Sequence, residues 1–231
     1  YQTQKAYLVK GEKLLPGEFG VMHGYMKIPA LKEVCHKYGV SINEYLVGVF
    51  VYSVYQECLK GMPSDKPIRV AVPVNLRPYF ASNTTKNFFV MVSAEFHPTK
   101  EDYTFEEILQ TVRESLKAQI NKENLEKLFS YNVSNEKVWI ARIAPLFLKN
   151  LAMKIVYTQS ALANTTTITN IGNIGVEDVY KCSTRSLQCQ KDSISREQSV
   201  RMMILWYLRS AMICRTLAFR RSFSVKLRLT V

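Results

Sequence analysis

Glycine, proline and asparagine are absent from the last part of this chain: all nine Gly, all eight Pro and every Asn lie before residue 182. Acidic residues are scarce there as well. Residues 182–231 hold two Asp+Glu against ten Lys+Arg, a net of +8 out of the formal +12, which leaves +4 for residues 1–181. The basic residue type also changes at this border, from 17 Lys and four Arg before it to two Lys and eight Arg after it. Selection for a basic surface does not require the loss of every turn-forming residue, whereas a change of reading frame alters all residue classes at once. The expectation is therefore an aberrant, frameshifted tail over residues 182–231, with its onset between about Tyr180 and Arg201. Permitted codons for RMMILWYLRSAMICRTLAFRRSFSVKL, read two nucleotides later, allow DDDFVVFAIGNDLSNTGFQKEFFRQT. That string has an alternating strand, a polar turn with Gly and Asn, and the start of an amphipathic helix. A tail in its natural frame would instead offer Arg209, Arg215, Arg220, Arg221 and Arg228 with Trp206, Tyr207, Phe219 and Phe223 to anionic lipid or nucleic acid.

Other absences exclude whole classes of function. No run of about 18 apolar residues is present, so no membrane span is expected. The five cysteines, Cys35, Cys58, Cys182, Cys189 and Cys214, are odd in number and lack CxxC spacing, which argues against zinc or a disulfide framework. With no cleavable signal at Tyr1, the expected setting is a reducing cytoplasm, and the sequons at Asn83, Asn132 and Asn164 are chance matches. Phosphate-binding, dinucleotide-binding, zinc-protease, serine-hydrolase and calcium-loop signatures are all missing. His23, His36 and His97 fall on separate elements, so no local nucleophile–base pair and no metal site is expected. His23 lies in a strand pattern and reads as a packing residue rather than a base. Basic residues interleaved with aromatics are lacking before residue 182, so no nucleic-acid partner is expected.

What is present suits a globular chain with one substantial core: 231 residues, 47% hydrophobic and 22% charged. Residues 1–18 read as an extended lead-in segment, and Phe19 to Ile28 as a strand. Pro29 opens a helix that stops at Gly39, and Ser41 with Glu44 caps a second helix from Ile42 to about Lys60. That helix is apolar nearly all round, the pattern of a buried helix. Ile68 to Val74 and Phe88 to Phe96 read as two strands joined at a bend containing Asn75, Arg77 and Asn87. Polar groups among apolar neighbours need partners, so these three are expected to fasten the bend. Thr104 and Glu107 cap an amphipathic helix, followed by helical stretches at Asn124–Tyr131 and Val138–Tyr157, the latter broken or restarted at Pro145. Leu146, Phe147, Leu148, Leu151, Met153 and Val156 of that last helix are expected in the core, with a membrane-surface helix anchored by Lys149 and Lys154 as the rival. Thr165 to Ile171 closes the order as a strand. The fold class expected is α/β, a mixed sheet covered by helices.

VPVNLRPYF at residues 72–80, NFF at 87–89, R-x-x-PLFLKN at 142–150 and TNIG at 169–172 occur in this order. The ordered set, spanning about Phe19 to Tyr180, resembles the C-terminal half of acyltransferases of the chloramphenicol acetyltransferase-like superfamily, nearest its alcohol acetyltransferase and condensation-domain-like branch. The resemblance implies one lobe of a two-lobed fold, residues 19–181, beside a tunnel. It also implies acyl-CoA, acetyl-CoA foremost, as a cosubstrate, an alcohol acceptor, and no bound cofactor or metal. In such enzymes a histidine of an HHxxxDG motif acts as general base. This chain has no such motif, so the resemblance places the base in a missing N-terminal lobe and leaves the fragment inactive alone. It gives Asn75, Arg77 and Asn87 a structural role, and Thr169, Asn170 and Gly172 a place on the tunnel wall, where a donor can support an oxyanion. The alternative is a non-catalytic, condensation-like module that binds an acyl chain or a carrier protein.

Overall fold

The computed structural model of the chain describes residues 4–9, 12–13, 28–84, 86–136, 145–170 and 212–213. The strand expected at Phe19–Ile28 lies outside them except for Ile28, which instead begins a helix. Helix α1 spans Ile28–Tyr38 and ends at Gly39, whose φ of +63° is the left-handed conformation that glycine tolerates best. Helix α2 spans Ile42–Cys58 and carries the capping box in full: Ser41 Oγ accepts from the Glu44 N–H, and Glu44 accepts from the Ser41 N–H. Its buried side chains, Tyr45, Leu46, Val47, Val49, Phe50, Val51, Val54 and Tyr55, cover most of its circumference.

Two eight-residue strands form the centre of the sheet. Strand β2 (Ile68–Asn75) pairs antiparallel with β3 (Phe89–Phe96), with Val72 opposite Val92 and Arg69 opposite Glu95. On its other side β2 pairs in parallel with β4 (Thr166–Thr167), which makes a mixed sheet of order β3-β2-β4. Strand β4 is much shorter than the expected Thr165–Ile171. Pro73 sits in β2 just past the point where β4 stops, so the N–H it lacks is not called for by a neighbour. A separate two-stranded ladder joins β1 (Glu12–Lys13) to β5 (Met212–Ile213).

Helix α3 (Phe105–Gln119), capped by Thr104 and Glu107, lies with α2 over one face of the sheet. That face is built from Val70, Val72, Val90, Val92 and Ala94, which pack against Val47, Phe50, Val54, Ile108, Val112 and Leu116. Gly48 lets the two helices approach closely, because a Cβ there would stand 2.6 Å from Leu109 Cδ1. A second cluster of Leu31, Cys35, Tyr45, Val49, Phe105 and Leu109 fixes α1, with Phe105 meeting Tyr38 and Tyr45 edge to face. Helix α3 also closes part of the exposed edge of β3. Gln119 accepts from the Ser93 N–H and donates to its carbonyl, and Ser115 Oγ accepts from the Glu95 N–H.

Helix α4 (Lys122–Glu136) brings Leu125 into the core and Phe129 edge to face with Phe88. The last helix, α5 (Leu146–Leu162), starts after Pro145 and leads into β4; residues 138–144, expected in the same helix, lie outside the described residues. Leu146, Phe147, Leu148, Leu151 and Val156 are exposed rather than in the core, which corrects the sequence reading. Helical spacing gives an apolar face but not what covers it, and none of the described elements packs over these side chains. No helix among the described residues is long and apolar enough to cross a membrane.

Candidate functional site

The bend after β2 is held by one guanidinium. A chain leaving a sheet strands its carbonyls, and each needs a donor. Arg77 Nε and Nη2 donate to the Thr84 carbonyl at 3.4 and 3.1 Å, and Nη2 also donates to the Lys86 carbonyl at 2.7 Å. Asn75 Oδ1 accepts from the Arg77 N–H at 3.1 Å and from Nη1 at 3.3 Å, so it orients the fork. Leu76 plugs the core beneath, fully buried, while Asn75, Arg77 and Asn87 are all exposed.

Strands β2 and β4 run in parallel, with Ala71 opposite Thr167, so residues after Thr167 run alongside those after Ala71. This carries Thr169 and Asn170 to the same end of the sheet as Asn75 and Arg77. It is the carboxyl end of the parallel pair, where open α/β sheets place ligands. Thr169 is half-buried and Asn170 exposed; Gly172 lies outside the described residues.

The opposite end of the sheet holds a chain of charged groups. Arg69, on the face away from α2 and α3, donates to Glu95 Oε1 at 2.5 Å and to the carbonyls of Gln4 and Ala163 at 2.9 and 3.0 Å. The same Glu95 oxygen lies 2.8 Å from His97 Nε2. Beyond His97 a depression of about 640 Å³ opens between Pro63, Ser64 and Asp65 on one side and Pro98 and Thr99 on the other. Sequence reasoning treated His97 as isolated. The signal was the Glu-x-His spacing at a strand end, which puts both side chains on one face.

A carboxylate-oriented histidine is the geometry of a general base, but this one is at the wrong end for Asn170. From His97, opposite the start of β2, to Asn170, alongside its end, the strand rise gives roughly 25 Å. His36 is exposed on α1, and His23 lies outside the described residues. Among the described residues no group of three or more His, Cys, Asp or Glu side chains is placed to hold a metal ion.

No family model matches the chain, and no curated protein matches it. Among solved structures the chain is similar to polyketide synthase associated protein 5 from Mycobacterium tuberculosis, with 15% identity and a TM-score of 0.37. That match covers 47% of this chain and 29% of the other. The described residues form an α/β fold, a mixed three-stranded sheet with five helices.

Proposed function

We propose that this chain is the C-terminal lobe of an O-acyltransferase that moves an acyl group, acetyl foremost, from acyl-CoA to an alcohol. The observation that supports it is the convergence of three of the four ordered motifs on one end of one sheet. Asn75 and Arg77 close β2, Phe88 and Phe89 open β3, and Thr169 and Asn170 follow β4 beside them. In this reading Arg77 braces the bend, Asn170 offers a donor to the developing oxyanion, and the alcohol is deprotonated by a histidine outside these 231 residues. The 231-residue chain is incubated with acetyl-CoA and a panel of primary alcohols, and thiol release is followed. The reading expects acetyl-CoA to bind, Asn170→Ala to leave that binding unchanged and lower only transfer once the lobe with the base is supplied, and no ester to form with the 231-residue chain alone. Ester formation by the chain alone overturns the assignment of the base.

Two observations favour a second reading, a non-catalytic module that holds an acyl chain or a carrier protein. The base-like histidine of the described residues, His97, is remote from Asn170, and the open face of β3 presents Phe89 and Met91 to solvent. Coding DNA upstream of Tyr1 separates the two. An in-frame HHxxxDG supports the enzyme, and its absence supports the module.

A further inference from the structure

Strand β3 is an outer strand of its sheet, and its free edge is covered along only part of its length. The Leu76 N–H donates to the Phe88 carbonyl, which makes Leu76 and Phe88 a hydrogen-bonded pair of the antiparallel ladder. Bonded and non-bonded pairs alternate, so Val74–Val90 and Val72–Val92 are bonded, while Phe89, Met91, Ser93 and Glu95 turn their backbone groups away from β2. The same parity holds on the other side of β2, where the Arg69 and Ala71 carbonyls accept from Thr165 and Ile168.

Helix α3 meets the outward groups at one end of β3. Gln119 accepts from the Ser93 N–H at 3.2 Å and donates to its carbonyl at 2.6 Å, and Ser115 Oγ accepts from the Glu95 N–H at 3.0 Å. Nothing among the described residues meets the outward N–H and C=O of Phe89 and Met91. Their side chains, on the sheet face away from α2 and α3, are 48% and 42% exposed. Unpaired backbone groups in a row are a template for another strand.

We propose that this edge pairs with the same edge of a second copy of the chain, antiparallel and two-fold, with Phe89 of each copy opposite Met91 of the other. Both are outward-facing residues, so each of the two pairs exchanges two backbone hydrogen bonds and every open group is satisfied. The pairing also sets each Phe89 ring beside a Met91 thioether on one face. A longer foreign strand laid along β3 would run into Gln119 and Ser115. A second copy does not, because the residue it brings opposite Ser93 is Asn87, where its chain already turns away into the Arg77-braced bend. Pairing one edge with itself closes after two copies, so no unpaired edge is left to propagate. The proposal does not rest on the acyltransferase reading.

The test is sedimentation equilibrium of the 231-residue chain over rising concentration. The expected result is a reversible monomer–dimer equilibrium, from 26.6 kDa to twice that mass, with Kd on the order of 10–100 μM for so small an interface. Met91→Pro removes an outward N–H without touching a bond to β2, and Phe89→Lys puts a charge on the edge; each is expected to raise Kd about tenfold or more. In an oxidised mixture of Phe89→Cys and Met91→Cys chains, peptide mass spectrometry is expected to find a disulfide joining position 89 of one copy to position 91 of the other. A chain that stays monomeric to about 1 mM overturns the proposal. So does a dimer that neither substitution weakens and that forms no such disulfide. A monomer whose Phe89 and Met91 amides still exchange slowly also overturns it, by placing another segment of the same chain on the edge.

Discussion

Glu95 accepts from Arg69 across the antiparallel pair that joins their strands, at 2.5 Å, and Arg69 in turn holds the carbonyls of Gln4 and Ala163. Four separate segments meet at one guanidinium. Its side chain is 8% exposed and that of Glu95 32%, so the pair is neither fully buried nor screened away. Arg69→Met leaves a carboxylate and two carbonyls without their donor and is expected to cost about 2–4 kcal/mol in urea unfolding. Glu95→Gln keeps an acceptor oxygen and is expected to cost less, about 1–2 kcal/mol. The double variant should cost less than the sum, and strict additivity would show that the two side chains do not act as a pair.

Tyr55 ties two loops together. Its hydroxyl, on a fully buried side chain, donates to the Gly61 carbonyl at 2.5 Å and lies 3.2 Å from the Lys100 carbonyl. Tyr55→Phe preserves the ring packing against Phe96 and Tyr103 and removes the hydroxyl, which also accepts from the Tyr103 N–H at 3.4 Å. The expected loss is about 1–3 kcal/mol, read as a lower urea midpoint with an unchanged m-value. An unchanged midpoint would mean that the two loops hold without it.

Cys35 should behave as a hydrophobic residue. Burial pushes its thiol up to about 11, with Glu44 adding to the effect. At pH 8 only about one in a thousand is thiolate, so iodoacetamide should leave Cys35 unmodified in the folded chain and label it in urea, as mapped by peptide mass spectrometry. Rapid labelling of the native protein would contradict the buried position of α1 against α2.

The start of α3 is sensitive to acid. The Lys100 ammonium, and after it the Thr104 N–H, hold the Glu107 carboxyl below its ordinary value of 4.5, while Glu107 raises Lys100. A lowered carboxyl stabilises the fold above its unfolded value and loses that contribution as pH falls through the folded value. Stability should therefore decline below about pH 4, and Glu107→Gln should flatten that slope. The raised Lys100 acts in the opposite range: its contribution is complete below its unfolded value and fades as pH rises through the folded one. Thermal unfolding from pH 3 to 7 checks the acid limb.

Much of this fold was legible because its signals are local. Capping boxes at Ser41–Glu44 and Thr104–Glu107, the Gly39 stop, and the alternation of Val90, Val92 and Ala94 need only neighbouring residues to be read. What escaped depends on partners distant in the chain. The exposure of Leu151 and Val156 turns on what packs over α5, and the length of β4 turns on how far it runs beside β2, where Thr165 and Ile168 donate to the Arg69 and Ala71 carbonyls. At the candidate site, the bonds of Arg77 lie within nine residues, a separation that a turn pattern can suggest. The Arg69–Glu95–His97 chain spans two strands, and its existence follows from a register that no single stretch encodes.

The most direct measurement is acetyl transfer by the protein expressed from its natural gene, upstream coding DNA included, with acetyl-CoA and an alcohol as substrates. The account predicts ester formation by that product, lost when the upstream HHxxxDG histidine is replaced by alanine, and none by residues 1–231 alone. Ester formation by the 231-residue chain, or none by the full product, would contradict it.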